Sequence, residues 1–404
     1  MMKIEAVETV QHASFPNLLH VRVFTDDGLV GTGETFYGTE AVVAHVRSVA
    51  APLLLGQDPL RSSAHGLALQ GYVGYAGSGA ETRARSAIDL ALWDIRGQAA
   101  NMPIHDLIGG RVRDGVPVYN TCAGSHYVRS GSQSTNSWGL GQPADQLEDL
   151  QRFLTDAGGL AEELLSEGIG GMKIWPFDPY AEQSRGTAIT ARELEVALRP
   201  IKAIREVVGD QIRVMVEMHA LWTVPAARSI INALSEYAPY WVEDPVRADV
   251  VGGLAQISDS IAAAGTMLAA GETIAGLAGF VPLIASSPRG GPIDVVTVDL
   301  TWCGGLTDAL AISSLAAACG RMIAPHDCTG PIALAAAVQL SVASPTAVLQ
   351  ETVRAAVRGW YRDVVTVVPI IADGLIQPCP GPGLGTELQP AYVQSAGAHR
   401  MVSR

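Results

Sequence analysis

Glu217, Glu243, Glu272, Asp299, His326 and Glu351 are the residues best suited to chemistry, and each closes, or nearly closes, a short apolar run. Steps of 26, 29, 27, 27 and 25 residues separate them. The first three are carboxylates with no Cys among them, a hard oxygen donor set that suits Mg²⁺ better than Zn²⁺. Brought together without a cation, they would repel one another and take up protons. Asp299 and His326 follow on adjacent runs. An Asp hydrogen-bonded to an imidazole fixes its tautomer and raises its basicity, as a general base requires. His219 lies two residues past Glu217. Strand alternation places it on the same face of the same strand, looking into the metal pocket from the side opposite His326. Lys173, in MKIWPFD, adds a cation, and Glu351 falls near the metal end of the ring.

A lone acid after an apolar run is ordinarily a helix cap or a solvated loop residue. Capping predicts mixed Ser, Thr, Asn and Asp one or two residues further on. Six ionisable residues in phase, set directly behind apolar runs, instead fit side chains that face a shared mouth.

The elements that would position them follow from the runs themselves. IRVMVE, YWVE, MLAAGE, IDVVTVD, RMIAPH and AVLQE have the length and composition of strands buried on both faces. Stretches such as PAARSIINALSEYA and GGLTDALAISSLAAACG between them suit an outer layer of helices. The expected fold is α/β, a (β/α)₈-type barrel whose strand ends converge on one mouth. VPVYNTCA near residue 116 would open it and GGMKIWPFD would be its second strand. The interval between these two is long. SHYVRSGSQSTNSWGLGQPADQ, rich in Ser, Gly and Asn with Tyr127 and Trp138 embedded, reads as a lid or a disordered insert over residues 125–146. Upstream, KIEAVETVQHA, LLHVRVFTDDG and LVGTGETFY alternate like strands, Asp27-Gly28 marks a hairpin, and TRARSAIDLALWDIRGQAA is helical. The expected division is an N-terminal α+β capping domain (1–112), the barrel (113–360) and a Gly/Pro-rich segment (361–404) packing back on the capping domain.

The chain has 404 residues, 48% hydrophobic and 17% charged, which fits a globular protein. A net charge of −13 without a Lys/Arg cluster argues against nucleic acid. No apolar stretch reaches membrane-spanning length, and MMKIEAVETV lacks the parts of a secretion signal, so a cytoplasmic location is expected. Cys122, Cys303, Cys319, Cys328 and Cys379 are scattered and fit neither a disulfide framework nor a zinc site. Cys303 and Cys328 do fall just beyond strand ends, within reach of a ligand. The other seven histidines have no comparable context.

In order, VEMHALW, VEDP, AAGET, VDLTWCGG, APHDCTGPIALAAA, VLQE and PGPGLG resemble the mandelate racemase subgroup of the enolase superfamily over nearly the whole chain. The His after the first ligand and PHxxxGPIALAA are most similar to the sugar-acid dehydratases, D-galactonate dehydratase among them. The resemblance implies one Mg²⁺ per subunit on Glu217, Glu243 and Glu272. It implies the Asp299–His326 dyad as base, His219 as acid and Glu351 as a hydrogen-bonding electrophile on the substrate carboxylate. It also implies capping loops near Phe15 to Leu19 and Tyr72 to Ser78 over the substrate, and a homo-oligomer. One departure stands out. The subgroup's Lys-x-Lys is here Lys173 and Trp175, so two-base racemisation through the second Lys is not expected. Lys173 is left to bind the substrate carboxylate or, with a shifted register, to act as a base itself. Trp175 offers an apolar wall. The reaction this points to is dehydration of an aldonate or aldarate through an enediolate, giving a 2-keto-3-deoxy acid. Cycloisomerisation or epimerisation through the same enediolate is the alternative, and a non-catalytic sugar-acid-binding protein is the remote one.

Overall fold

A computed structural model describes residues 2–71, 77, 79–130, 134–141, 147–261, 265–286 and 290–404. The alternating N-terminal segments form antiparallel strands β1 (Ile4–His12), β2 (Phe15–Thr25) and β3 (Val30–Phe36). Asp27-Gly28 makes the turn between the last two, with Gly28 at φ 91°. Helix Ala80–Ala100 lies directly on β3. Glycine makes that approach possible, because a Cβ on Gly31 or Gly33 would overlap the carbonyl oxygen of Ala91 or Ala87.

The later apolar runs become β4 (Val116–Thr121), β5 (Gly171–Ile174), β6 (Arg213–Glu217), β7 (Trp241–Glu243), β8 (Met267–Ala270), β9 (Val295–Val296), β10 (Met322–Ile323) and β11 (Gln350–Thr352). From β4 to β10 each pairs in parallel with the next, and β11 returns to pair with β4. A bridge from Ile323 to Ala347 closes the ring. Helices between the strands turn one face inward. Val224–Leu234, for example, buries Ala226, Ala227, Ile230, Ile231 and Leu234. Ala191–Val208 starts on a capping box of Thr190 and Glu193 and stops at Gly209.

The segment 361–404 touches both parts of the molecule. Its hairpin, β12 (Ile370–Ala372) and β13 (Leu375–Gln377), pairs with barrel strand β4. Its last strand, β14 (Ala398–Ser403), pairs with β1. Asp94, on the helix over β3, accepts from the amides of Thr32 and Leu384 and so ties that segment to the N-terminal sheet. Among the described residues no helix is long and apolar enough to cross a membrane.

Candidate active site

Strand alternation stacks the barrel interior in layers. One layer is apolar: Tyr119, Met215, Trp241, Ala269, Val295, Ala324 and Leu349. Two residues after each stand Thr121, Glu217, Glu243, Gly271, Thr297, His326 and Glu351, and Lys173 joins them in register beside Thr121. Glu217 and Glu243 are register partners. Glu272 and Asp299 fall one and two residues past this layer, on the loops leaving β8 and β9, which is why their spacing departs from the others.

Glu217, Glu243 and Glu272 present oxygens that lie within 4.8 Å of one another. Glu217 Oε1 accepts from the amides of Met218 and His219, at 3.0 and 2.7 Å. Glu243 Oε2 accepts from the Trp241 indole at 2.9 Å. The remaining oxygens, Glu217 Oε2 and Glu243 Oε1, are buried without a hydrogen-bond partner among the described residues. They face the Lys173 ammonium at 3.4 and 3.2 Å. Burial pushes the Glu243 carboxyl up to about 7 against the pull of Lys173. Burial likewise drives Asp244, its neighbour, well above the usual carboxylate range, with Glu272 and Glu217 adding to the effect. Three converging carboxylates with two orphaned oxygens fit a hard divalent cation such as Mg²⁺.

His326 Nδ1 pairs with Asp299 Oδ2 at 2.7 Å. With the proton on Nδ1, Nε2 is the basic atom, and it lies 3.1 Å from Glu272 Oε2. Burial lowers the basicity of His326, but Glu272, Glu351 and Asp299 outweigh it and hold the imidazole well above its ordinary value. Trp302 stacks on the ring at 5.5 Å between centroids. Its indole donates to the Phe36 carbonyl at the end of β3, and the Arg83 guanidinium lies over its ring at 4.8 Å.

His219 is not on the strand. β6 ends at Glu217, and His219 leaves it with φ 47°, followed by Ala220 at φ 57°. The turn is held by the Met218 and His219 amides on the Glu217 carboxylate and by the Ala220 amide on the Asp244 carbonyl. The side chain still lines the cavity. Its Nδ1 pairs with Asp178 Oδ2 at 2.7 Å, five residues past Lys173, a partner that no spacing argument had singled out. Burial opposes charge on His219, yet Asp178 and Glu217 raise it to about 10.

Lys173 lies 2.9 Å from Glu351 Oε1. Burial works against its charge, but Glu243, Glu351 and Glu217 keep its ammonium well above the usual lysine value. Glu351 also accepts from the Thr121 hydroxyl and, at 3.1 Å, from the Asp327 amide. Burial would raise its pKa, but Lys173 and His326 bring it down to about 2. It is therefore an ionised acceptor in the free protein.

These groups border a cavity of about 130 Å³ lined by Lys173, Trp175, His219, Glu272, His326 and Glu351. Its other wall is aromatic. Trp175 is 1% exposed and packs against Tyr127 and Phe153 at 5.3 Å and His219 at 5.8 Å. From the N-terminal sheet, Phe36 and Tyr37 line the cavity, whereas Phe15, Asn17 and Leu18 line the neighbouring one. The expected contact at Tyr72 to Ser78 lies, Gly77 apart, outside the described residues. So do 131–133 and 142–146 of the 125–146 insert. The described part of the insert is held by Asn17, whose amide donates to the carbonyls of Val128 and Ser130. Tyr37, Val128 and His219, all on the cavity wall, have φ of 64°, 50° and 47°, conformations costing on the order of 1–3 kcal/mol each. All five cysteines are free; Cys328 lines the cavity and Cys303 is buried elsewhere.

Two family models match the chain. Residues 156–392 match the enolase C-terminal domain-like family, and residues 3–109 match the N-terminal domain of mandelate racemase and muconate lactonizing enzyme. The chain belongs to the enolase superfamily. It is an enzyme of that superfamily, and its named relatives are dehydratases, which are lyases. A D-galactonate dehydratase from Variovorax paradoxus (strain S110) is 28% identical over 398 residues, 96% of this chain and 92% of the relative. A D-gluconate dehydratase from Thermoproteus tenax is also 28% identical, over 90% of this chain and 67% of the relative. Among solved structures, an enolase of the mandelate racemase subgroup from Agrobacterium tumefaciens is 39% identical, with TM-score 0.85, over 99% of this chain and 98% of that one. An enolase protein from the Sargasso Sea environmental genome is 39% identical, with TM-score 0.87, over 100% of this chain and 99% of that one. The superfamily's two-part organisation matches the N-terminal sheet and barrel described above.

Proposed function

We propose that this enzyme is a Mg²⁺-dependent dehydratase of a sugar acid, an aldonate or aldarate. It removes the proton α to the carboxylate and expels the β-hydroxyl, giving a 2-keto-3-deoxy acid. The observation that carries this reading is that one small cavity is lined by two carboxylate-held imidazoles, His326 on Asp299 and His219 on Asp178. Two names among the relatives, D-galactonate and D-gluconate dehydratase, support it.

The α-proton of a carboxylate is a weak acid, so charge developing on the substrate must be met by groups already in place. Glu217, Glu243 and Glu272 would hold Mg²⁺, which when bound supplies positive charge beside the substrate carboxylate. Lys173, paired with Glu351, Glu243 and Glu217, adds a second cation. Glu351 fixes that ammonium; it becomes a donor itself only after taking a proton. Glu272 is the main charge that raises His326, and a cation held there would offset it; His326 Nε2 then takes the α-proton while Asp299 supports the resulting imidazolium. His219, kept protonated and oriented by Asp178, then delivers a proton to the departing hydroxyl. The buried aromatic wall keeps water from the intermediate. A homo-oligomer belongs to the same reading and rests on the family resemblance.

A second reading keeps the enediolate but ends in cycloisomerisation of a lactone or anhydro sugar acid. Trp175 favours it, since a flat apolar wall suits a compact ring more than an extended polyol. Incubating the Mg²⁺-loaded enzyme with aldonates, aldarates and their lactones separates the two. A 2-keto acid from an open-chain acid supports dehydration. Products from lactones only would replace it with cycloisomerisation, and no turnover of any member would remove both.

A further inference from the structure

Asp299 is gripped on the oxygen that His326 does not use. Thr301 donates to Asp299 Oδ1 twice, from its amide and from Oγ1, both at 2.6 Å. Asp299 Oδ2 is thereby left for His326 Nδ1 at 2.7 Å. The Thr301 carbonyl in turn accepts from the hydroxyl of Thr35, on β3, at 3.0 Å. Thr35, Thr301 and Asp299 are fully buried, and Thr301 does not line the cavity. An Asp side chain turns easily about its last bond, and a carboxylate free to turn would share its imidazole between two oxygens. Two donors on one oxygen remove that freedom.

We propose that Thr301 is a positioning residue for the base. It locks the Asp299 carboxylate so that one oxygen faces His326, and Thr35 holds Thr301 from the N-terminal sheet, making the docking of that sheet on the barrel part of how the base is set. The inference rests on His326 acting as the base. It predicts that Thr301→Val, which keeps the shape and the amide but loses the hydroxyl, slows α-proton chemistry without weakening substrate binding.

The test uses full-length, Mg²⁺-loaded enzyme with D-galactonate in deuterated buffer. Turnover, KM and deuterium incorporation at the α-carbon are read for wild type, Thr301→Val, Thr301→Ser, Thr35→Val and His326→Asn. The His326 Nδ1–H proton resonance, assigned by its loss in His326→Asn, is recorded in the free enzyme and needs no substrate. Loss of a group that orients a functional residue costs about 10- to 100-fold. Thr301→Val should fall by that factor in both turnover and exchange with KM and Mg²⁺ affinity unchanged, and its Nδ1–H resonance should move upfield. Thr301→Ser should restore both, and Thr35→Val should shift them in the same direction by less. Wild-type exchange and an unmoved resonance in Thr301→Val would overturn the proposal, as would Thr301→Ser being equally slow. If Thr301→Val does not fold, Thr35→Val decides by the same two readouts. Undiminished exchange in His326→Asn would instead remove the base assignment, while the resonance still decides whether Thr301 orients the dyad.

Discussion

Replacing Asp299 by Asn should abolish catalysis through the tautomer of His326 and leave the fold and the metal site in place. The direction follows from the hydrogen bonds already made. Asp299 Oδ1 accepts from both the amide and the hydroxyl of Thr301, so that position requires an oxygen. An Asn side chain must therefore put its NH₂ at the Oδ2 position, 2.7 Å from His326 Nδ1. Facing a donor, Nδ1 has to become the acceptor, and its proton moves to Nε2. The nitrogen at the cavity then has no lone pair to receive the α-proton. An imidazole locked in the wrong tautomer by an Asp-to-Asn exchange loses about 10⁴ in turnover, or roughly 5 kcal/mol of barrier. Asp299 makes no hydrogen bond or ion pair to Glu217, Glu243 or Glu272, so Mg²⁺ affinity measured by calorimetry should stay at the wild-type value. Deuterium exchange at the α-carbon of D-galactonate, followed by proton NMR, measures the catalytic step. An Asp299→Asn enzyme that exchanges within tenfold of wild type would refute the tautomer argument.

Five further outcomes are expected. Chelation should abolish activity and added Mg²⁺ restore it, as measured by 2-keto acid formation; Glu243→Gln should weaken Mg²⁺ binding in calorimetry while the melting temperature holds, since mouth residues serve function more than stability. Elimination should fail as pH rises through the pKa of His219, which acts as the imidazolium and which Asp178 holds above the ordinary histidine range. Asp178→Asn removes a charge-assisted bond of about 1.5–3 kcal/mol and should move that basic limb down by about 1–2 pH units in a pH–rate profile. Gly33→Ala should cost about 1–3 kcal/mol in urea unfolding, because the new Cβ meets the Ala87 carbonyl across the sheet–helix contact.

The barrel was legible because its code is simple. Apolar runs of strand length recur at one period, and the same period carries the ionisable residues to one end. Local turns were less legible. His219 obeyed the cavity but not the alternation, because the chain turns there, held in part by the Met218 and His219 amides on the Glu217 carboxylate. Asp178 was invisible as a partner for His219, since 41 residues separate the two and the contact crosses between neighbouring loops. Its one signal was an acid in the run that also carries Lys173. Asp244 and Thr301 lie beside residues that the pattern did mark, one after Glu243 and two after Asp299. Their roles come from burial and hydrogen-bond direction, which a period in the sequence does not encode. Phe15, Asn17 and Leu18 border the adjoining cavity. Phe15 to Leu19 lies within a long strand, and the chain reaches the cavity at the end of the next strand, at Phe36 and Tyr37.

The most direct test of the account uses a substrate analogue lacking the β-hydroxyl, 3-deoxy-D-galactonate, on Mg²⁺-loaded enzyme in deuterated buffer. Only proton abstraction can be observed on it. The account predicts that His219→Asn still incorporates deuterium at the α-carbon and that His326→Asn does not. Incorporation by His326→Asn with none by His219→Asn would contradict it and place the base on the other face.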